Sequence, residues 1–191
     1  MRKSLAAVIL AILLQGCGAA PSAEGPTHTE SLLPIAEALI DDFYSFDANR
    51  LASALAVAEA SKASLLYYQG WAQGGNYEIV QRRRCVIKAR NVVSCAITVR
   101  DDPMLALGID YFVTDTFEIS FAGGRVVAVE TSSDDLPVYY EARDWVRSEM
   151  PELIAQPCEG FFDGGPTPGE CAAAMAEGYR RFAASEASTN R

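Results

Sequence analysis

The chain has 191 residues, of which 50% are hydrophobic and 21% are charged, and its formal net charge at pH 7 is −9. This acidic excess disfavours nucleic acid and anionic lipid as partners, because both carry negative charge themselves. The part of the chain that follows the N-terminal segment described next is long enough for one domain with its own hydrophobic core.

The first 16 residues have the build of a secretory signal peptide. A positive start, Met1–Lys3, precedes an apolar stretch, Leu5–Leu14, that is too short to span a bilayer as a helix. Leu14-Gln15-Gly16-Cys17 then resembles the lipobox of bacterial lipoproteins. The resemblance implies cleavage before Cys17 and acylation of its thiol and new amino group. The alternative is an ordinary secretion signal with a coincidental cysteine.

Cleavage before Cys17 predicts a lipid-anchored mature chain. Residues 17–29 comprise the lipidated cysteine and a small, polar, proline-containing segment typical of a flexible tether. In lipoproteins of bacteria with two membranes, aspartate after the cysteine favours the inner membrane, and this chain has Gly18 there. The resemblance therefore implies a palmitate-type anchor in the cell outer membrane, facing the periplasm. Without Arg2 and Lys3, 14 of the 16 basic residues remain against 25 acidic residues, a net charge of −11.

Helical periodicity marks both ends of the remaining chain. Apolar residues recur in steps of three and four from Glu30 to Phe46, which predicts one amphipathic helix. The alanine-rich stretch from Arg50 to Ala72 predicts further helix in two pieces. The pattern becomes helical again from Pro137, and a proline-started helix follows Thr167.

Between these helices the pattern changes to that of strands. The β-rich runs 77–89 and 92–101 are separated by a two-residue turn, which predicts a hairpin. The runs 110–121 and 125–131 surround a glycine pair and predict a second hairpin.

Four cysteines follow the anchor, and an even number in an oxidising compartment predicts disulfides. Four cysteines permit three pairings. Spacing favours Cys85–Cys95 across the first hairpin and Cys158–Cys171 around a loop that leads into a helix. A zinc site is the alternative, but the spacings are not CxxC and the sole histidine, His28, lies in the tether.

Helices followed by long antiparallel strands resemble the nuclear transport factor 2-like superfamily, which includes SnoaL-type polyketide cyclases and ketosteroid isomerases. The residues that carry the resemblance are the helical entry FYSFDANRLASALA and the hairpin IDYFVTDTFEISFAGGRVVAVET. It covers residues 30–132 and implies an α+β fold in which a cone-shaped, curved antiparallel sheet wraps around N-terminal helices. Residues 133–191 fall outside it and form a C-terminal helical extension with a disulfide loop.

Two charged side chains interrupt apolar rows of the predicted sheet. In an unbroken first strand Gln81, Arg83 and Cys85 share a face, and Asp115 lies in the apolar row of the third strand. Charges are rarely buried unless paired, so Arg83 and Asp115 either pair or line a pocket. In the second interpretation Arg83 binds a carboxylate or similar anion that Asp115 and Gln81 orient. The aromatic candidates for the pocket wall, whose alternative role is plain core, are Tyr67, Tyr68, Trp71 and Tyr111.

These features predict a lipid-anchored, non-catalytic envelope protein that binds a small apolar or amphipathic ligand in a cone-shaped pocket, without a cofactor or a metal. One alternative is a cyclase or isomerase that uses Asp115 and a tyrosine as acid and base. The His–Asp pair common in catalytic relatives is missing, because the histidine lies in the tether. The other alternative is a structural module that contacts an envelope protein.

Overall fold

The computed structural model describes residues 30–160 and 164–189 as an α+β structure. After a 3-10 turn, Glu30–Leu32, its helices are α1 (Leu33–Tyr44), α2 (Ala48–Ala54), α3 (Glu59–Gly74), α4 (Asp102–Ala106), α5 (Pro137–Glu149), α6 (Pro151–Ile154) and α7 (Pro168–Thr189). Its strands are β1 (Glu78–Arg82), β2 (Val86–Ala89), β3 (Val92–Arg100), β4 (Val113–Ala122) and β5 (Arg125–Ser133). The predicted α+β class and C-terminal helices are confirmed. The signal peptide, Cys17 and the tether lie outside the described residues.

The five strands form one open antiparallel sheet in the order β1–β3–β4–β5. Strand β2 also pairs with β3, so that β1 and β2 follow one another along the same edge. Both predicted hairpins, β2–β3 and β4–β5, are present. Buried and half-buried residues alternate along β3 and β4, as expected for a sheet with one face on the core.

The first predicted strand is not continuous. The chain leaves the regular sheet after Arg82, and the pairing of β1 with β3 shifts by one residue between Ile79 and Gln81. Such a bulge moves the following side chains to the opposite face, because side chains in a strand alternate with a period of two. The prediction that Gln81 and Arg83 continue an inward-facing row is therefore wrong, and both residues are exposed.

Helices α1 and α3 contact the sheet through an aromatic layer. Phe43 of α1 and Phe117 of β4 are fully buried, with ring centroids 5.0 Å apart. The ring of Tyr68 on α3 lies 5.2 Å from the first ring and 6.3 Å from the second. Burial of apolar surface contributes about 25 cal/mol per Å², so these large rings contribute strongly to the stability of the core.

Both predicted cysteine pairs are present. Cys85 and Cys95 have Cα atoms 4.3 Å apart and join the break after β1 to β3. Cys158 and Cys171 have Cα atoms 4.6 Å apart and join the segment after α6 to the first turn of α7. All four cysteines are buried, so both disulfides belong to the packed interior.

The C-terminal helices pack on the helical side of the molecule. Helix α7 lies against α3, α4 and α5. The end of α3 and the start of α7 approach so closely that a Cβ atom on Gly74 would lie 2.2 Å from the Cα atom of Gly169. No side chain fits at position 74 without a shift of backbone. In the described part of the chain, no helix combines the length and apolar character needed to cross a membrane.

Candidate functional site

A row of paired positions crosses the inner face of the sheet. Arg82 lies opposite Ile97, Ile97 lies opposite Asp115, and Asp115 lies opposite Ser133. The bulge in β1 puts Arg82 into this row, where an unbroken register continued from Glu78 and Ile79 would put Gln81, and it turns Arg83 away from the inner face. The predicted pairing of Arg83 with Asp115 is therefore not formed, because the register of β1 is one residue away from that of a regular strand.

Asp115 is the buried acid of this row and is only 1% exposed. Ser133 Oγ donates a hydrogen bond of 2.6 Å to Asp115 Oδ1, and the Tyr44 hydroxyl donates one of 3.2 Å to Oδ2. The buried hydroxyl of Tyr68 faces the same carboxylate but makes no hydrogen bond of normal length within the described residues. Burial raises the pKa of Asp115, and the hydroxyl donors oppose that rise. Burial and the charge of Asp115 also raise the pKa of Tyr44, so its hydroxyl stays protonated.

Two more acids lie close enough to influence this centre. Asp101 is 2% exposed and caps α4 by accepting a hydrogen bond of 2.8 Å from the backbone N–H of Met104. Burial raises the pKa of Asp101 to about 7, and the charges of Asp135 and Asp115 act in the same direction. Burial also raises the pKa of Asp135, which accepts a hydrogen bond of 3.0 Å from Tyr140.

The aromatic residues predicted from the sequence occupy separate environments. Trp71 belongs to the core, with 9% of its surface exposed. Tyr67 is half-buried and lies near Gly164, in the loop before α7. The Tyr111 hydroxyl donates a hydrogen bond of 2.9 Å to the carbonyl of Asp134. None of the three residues lines the groove described next.

A groove of about 460 Å³ lies between the first turn of α1 and the break after β1. Its lining residues are Leu33, Pro34, Glu37, Arg82, Arg83, Arg84 and Cys85. Of the predicted ligand-binding residues, Arg83 lines this groove, whereas Gln81 and Asp115 do not. The structure thus separates Arg83 from the two residues that were expected to assist it.

Glu37 organises one wall of the groove. Its Oε2 accepts a hydrogen bond of 2.7 Å from the guanidinium of Arg82, and its Oε1 accepts one of 2.7 Å from the backbone N–H of Cys85. Asp41, one turn further along α1, also pairs with Arg82. The two carboxylates therefore attach the break after β1 to the first helix.

Arg83 and Arg84 differ from the arginine before them. Both are exposed, and within the described residues neither forms a salt bridge or a side-chain hydrogen bond. Their backbone is fixed on both sides, by Arg82 and by the disulfide of Cys85. Two guanidinium groups that line one groove from a fixed backbone are suited to bind an anion.

Comparisons with known proteins do not assign this groove. No protein-family model, no curated protein and no solved structure matches the chain. Among the described residues, no group of three or more histidine, cysteine, aspartate or glutamate side chains is placed to hold a metal ion. The chemistry of the groove is defined by its own side chains.

Other openings lie elsewhere on the described part of the surface, and two of them are relevant here. One of about 510 Å³ is lined by Tyr77 and Arg100 among others. The other, of about 370 Å³, lies between α1, α2 and the β4–β5 turn and is mainly apolar. Neither is lined by Tyr44 or Asp115, so the buried tyrosine–aspartate pair does not open into them.

Sequence reasoning missed Tyr44 and Arg82. Tyr44 is the last residue of α1, and nothing in the helical pattern distinguishes it from its neighbours. The alternation of an unbroken strand predicts that Arg82 faces solvent. One signal could have indicated the true position of Arg82. Glu37 and Asp41 are spaced by four on a helix, so they share a face and attract a basic residue from the neighbouring edge.

Proposed function

We propose that this chain is a lipid-anchored protein of the bacterial cell envelope that binds a small amphipathic molecule and does not catalyse a reaction. The ligand lies in the groove beside α1. Its anionic group contacts the guanidinium of Arg83, and its apolar part lies on Leu33 and Pro34. The observation that carries this proposal is a pair of arginines, Arg83 and Arg84, that have no charged partner among residues 30–160 and 164–189 and that line a groove whose other charges are paired.

The proposed location depends on the start of the chain. The signal-like residues 1–16 and the lipobox-like motif before Cys17 favour a diacylglycerol on that cysteine, with anchoring in the outer membrane towards the periplasm. Several acyl chains, each methylene of which contributes about 0.8 kcal/mol on burial, anchor a protein stably without a transmembrane helix. The two disulfides support export, because such bonds persist in oxidising compartments.

For the fold, we propose a member of the nuclear transport factor 2-like superfamily whose sheet curves as a cone around α1 and α3. The order of elements supports this, since three helices precede antiparallel strands whose buried face contacts α1 and α3. Phe43, Tyr68 and Phe117 occupy the space between helices and sheet. The proposed ligand site therefore lies outside the cone.

Native mass spectrometry of the exported domain, with Cys17→Ser, tests the binding function. We expect a retained amphiphile in the parent protein and a bare mass after Arg83→Ala. Arg90→Ala is the matched control, because Arg90 lies in the β2–β3 turn and does not line the groove. A bare mass in all versions with both disulfides formed would contradict ligand binding and favour the alternative of a protein partner.

Metabolic labelling with a palmitate analogue tests the anchor. We expect the full-length chain to be labelled and to fractionate with the outer membrane. Cys17→Ser should lose the label and become soluble in the periplasm, whereas Gly18→Asp should keep the label and move to the inner membrane. A label that persists after Cys17→Ser would contradict the proposed lipidation site.

One observation favours a second candidate function, an acid/base enzyme of the cyclase or isomerase type. Tyr44 and Asp115 lie within hydrogen-bonding reach, and burial raises the pKa of both. Because Asp115 is only 1% exposed, substrate access requires α1 to move away from the sheet. Deuterium exchange next to the carbonyl of a cyclic ketone that is lost in Asp115→Asn and kept in Arg83→Ala would support the enzyme. No exchange in the parent protein would exclude this reaction for that probe.

A further inference from the structure

We infer that the anionic group bound by Arg83 and Arg84 is a phosphodiester, so that the ligand is a phospholipid or lysophospholipid monomer. This inference rests on the proposed binding of an amphiphile in the groove beside α1. It adds the chemical class of the head group, which the binding function by itself leaves open.

The donors of the groove favour a tetrahedral oxyanion. Each guanidinium offers five N–H donors in a planar fork, and one fork matches the two oxygens of a carboxylate. Arg82 is already paired, through one terminal nitrogen with Glu37 and through the other with Asp41. Arg83 and Arg84 both line the groove and offer two further forks, and the two charged oxygens of a phosphodiester can accept hydrogen bonds from both.

The charge of the groove favours a diester over a monoester. Arg82, Arg83 and Arg84 carry three positive charges, and Glu37 and Asp41, which both pair with Arg82, carry two negative charges, which leaves a local net charge of +1. A phosphodiester carries a single negative charge and balances this value. A phosphate monoester carries about −1.5 to −2 at neutral pH and would leave an excess of negative charge in a chain that is already acidic.

The start of α1 adds an apolar wall to the groove. Helix α1 continues from the 3-10 turn Glu30–Leu32, and Leu33 and Pro34 in its first turn line the groove. The same two side chains offer apolar surface next to the arginines. An anion with an attached hydrocarbon chain fits this combination, whereas free phosphate leaves the apolar wall in water.

Calorimetric titration of the Cys17→Ser domain at physiological ionic strength tests the inference with three probes. They are a short-chain lysophosphatidylcholine, glycerophosphocholine as the head group alone, and a fatty carboxylate of the same chain length. We expect the lysophospholipid to bind at least 10-fold more tightly than either other probe. Burial of its acyl chain provides the difference from the head group alone, and charge-assisted hydrogen bonds to a second arginine provide the difference from the carboxylate. Arg83→Gln/Arg84→Gln should weaken it by about 30-fold or more, and Arg90→Gln by less than about 2-fold.

Each other outcome has a definite meaning. Equal or tighter binding of the fatty carboxylate overturns the phosphodiester inference and leaves amphiphile binding in place. Equally tight binding of the head group alone supports the phosphodiester site and contradicts an amphipathic ligand. Equal losses in the double variant and in Arg90→Gln overturn the site, because binding would then follow overall charge. If none of the probes binds, the inference fails, and native mass spectrometry still decides the binding function.

Discussion

The hydroxyl of Tyr44, the last residue of α1, donates a hydrogen bond of 3.2 Å to Oδ2 of Asp115 at the centre of the sheet. The two residues are 71 positions apart in the chain. This contact holds the end of the first helix on the buried face of β4, where Asp115 is shielded from water.

Tyr44→Phe removes one donor from this buried carboxylate. We expect a loss of about 1–3 kcal/mol in the free energy of unfolding, because a buried acceptor that loses its partner is not rehydrated. Urea denaturation at pH 7 measures the change. Tyr140→Phe is the matched control, since it removes a tyrosine–aspartate hydrogen bond at the exposed surface and should cost less than about 0.5 kcal/mol. Equal effects of the two changes would contradict a special role for the buried pair.

Asp101 makes stability depend on pH. An unfolded aspartate loses its proton near pH 3.8, whereas burial keeps the folded residue protonated to about pH 7. Between these values the folded state binds more protons than the unfolded state, so the free energy of unfolding falls as the pH rises. The fall attributable to Asp101 is on the order of 4 kcal/mol at most.

Asp101→Asn keeps an oxygen that accepts the hydrogen bond from Met104 and removes the titration. Denaturation between pH 4 and pH 8 should therefore show a flatter profile and a more stable protein at the upper end. The remaining slope in the same direction comes from Asp115 and Asp135, whose pKa values burial also raises. An unchanged slope would show that Asp101 is not the responsible group.

Loss of the first disulfide should damage both stability and the groove. The Cys85–Cys95 bridge spans 10 positions, and its replacement by serines should cost about 3 kcal/mol of unfolding free energy. Ligand retention should fall as well, because Cys85 is next to Arg84. Replacement of Cys158 and Cys171, which span 13 positions, should cost a similar amount and leave retention unchanged. Similar retention in both double variants would contradict the placement of the site.

Gly74→Ala should destabilise the contact between α3 and α7. The added methyl group would lie 2.2 Å from backbone atoms of Gly169, so the helices must separate. We expect a cost of about 3 kcal/mol or more, measured by thermal unfolding. Gly124→Ala is the control, because its methyl group meets no atom within 4 Å and its φ of +73° alone costs about 1–2 kcal/mol. Equal melting temperatures for the two variants would contradict the close contact.

Several features of the fold follow from local sequence patterns. The two hairpins are predictable because β-rich runs flank short turns. The register of the first hairpin favours the Cys85–Cys95 disulfide, and the loop that leads into a helix favours Cys158–Cys171. The end of β1 is not predictable in this way. A bulge between Ile79 and Gln81 leaves no mark in composition, yet it exchanges the faces of Gln81 and Arg82.

The candidate site was only partly predictable for the same reason. The sequence pattern predicts that Arg83 interrupts an apolar row on the inner face of the sheet. In the structure Arg83 lines the groove beside α1, and Arg82 lies on the inner face. The bond between Tyr44 and Asp115 depends on how α1 lies on the sheet, which no local pattern specifies. Long-range packing therefore decides which charges are buried and which stay free.

The close contact between Gly74 and Gly169 also has a consequence for the order in which the chain folds during synthesis. Helix α3 is among the first elements to leave the ribosome, but the helix that covers it, α7, comes after every strand. During synthesis or export, one side of α3 stays accessible to chaperones and proteases until residues 168–189 have emerged. We expect chains truncated before residue 168 to be degraded rather than to accumulate as partly folded protein.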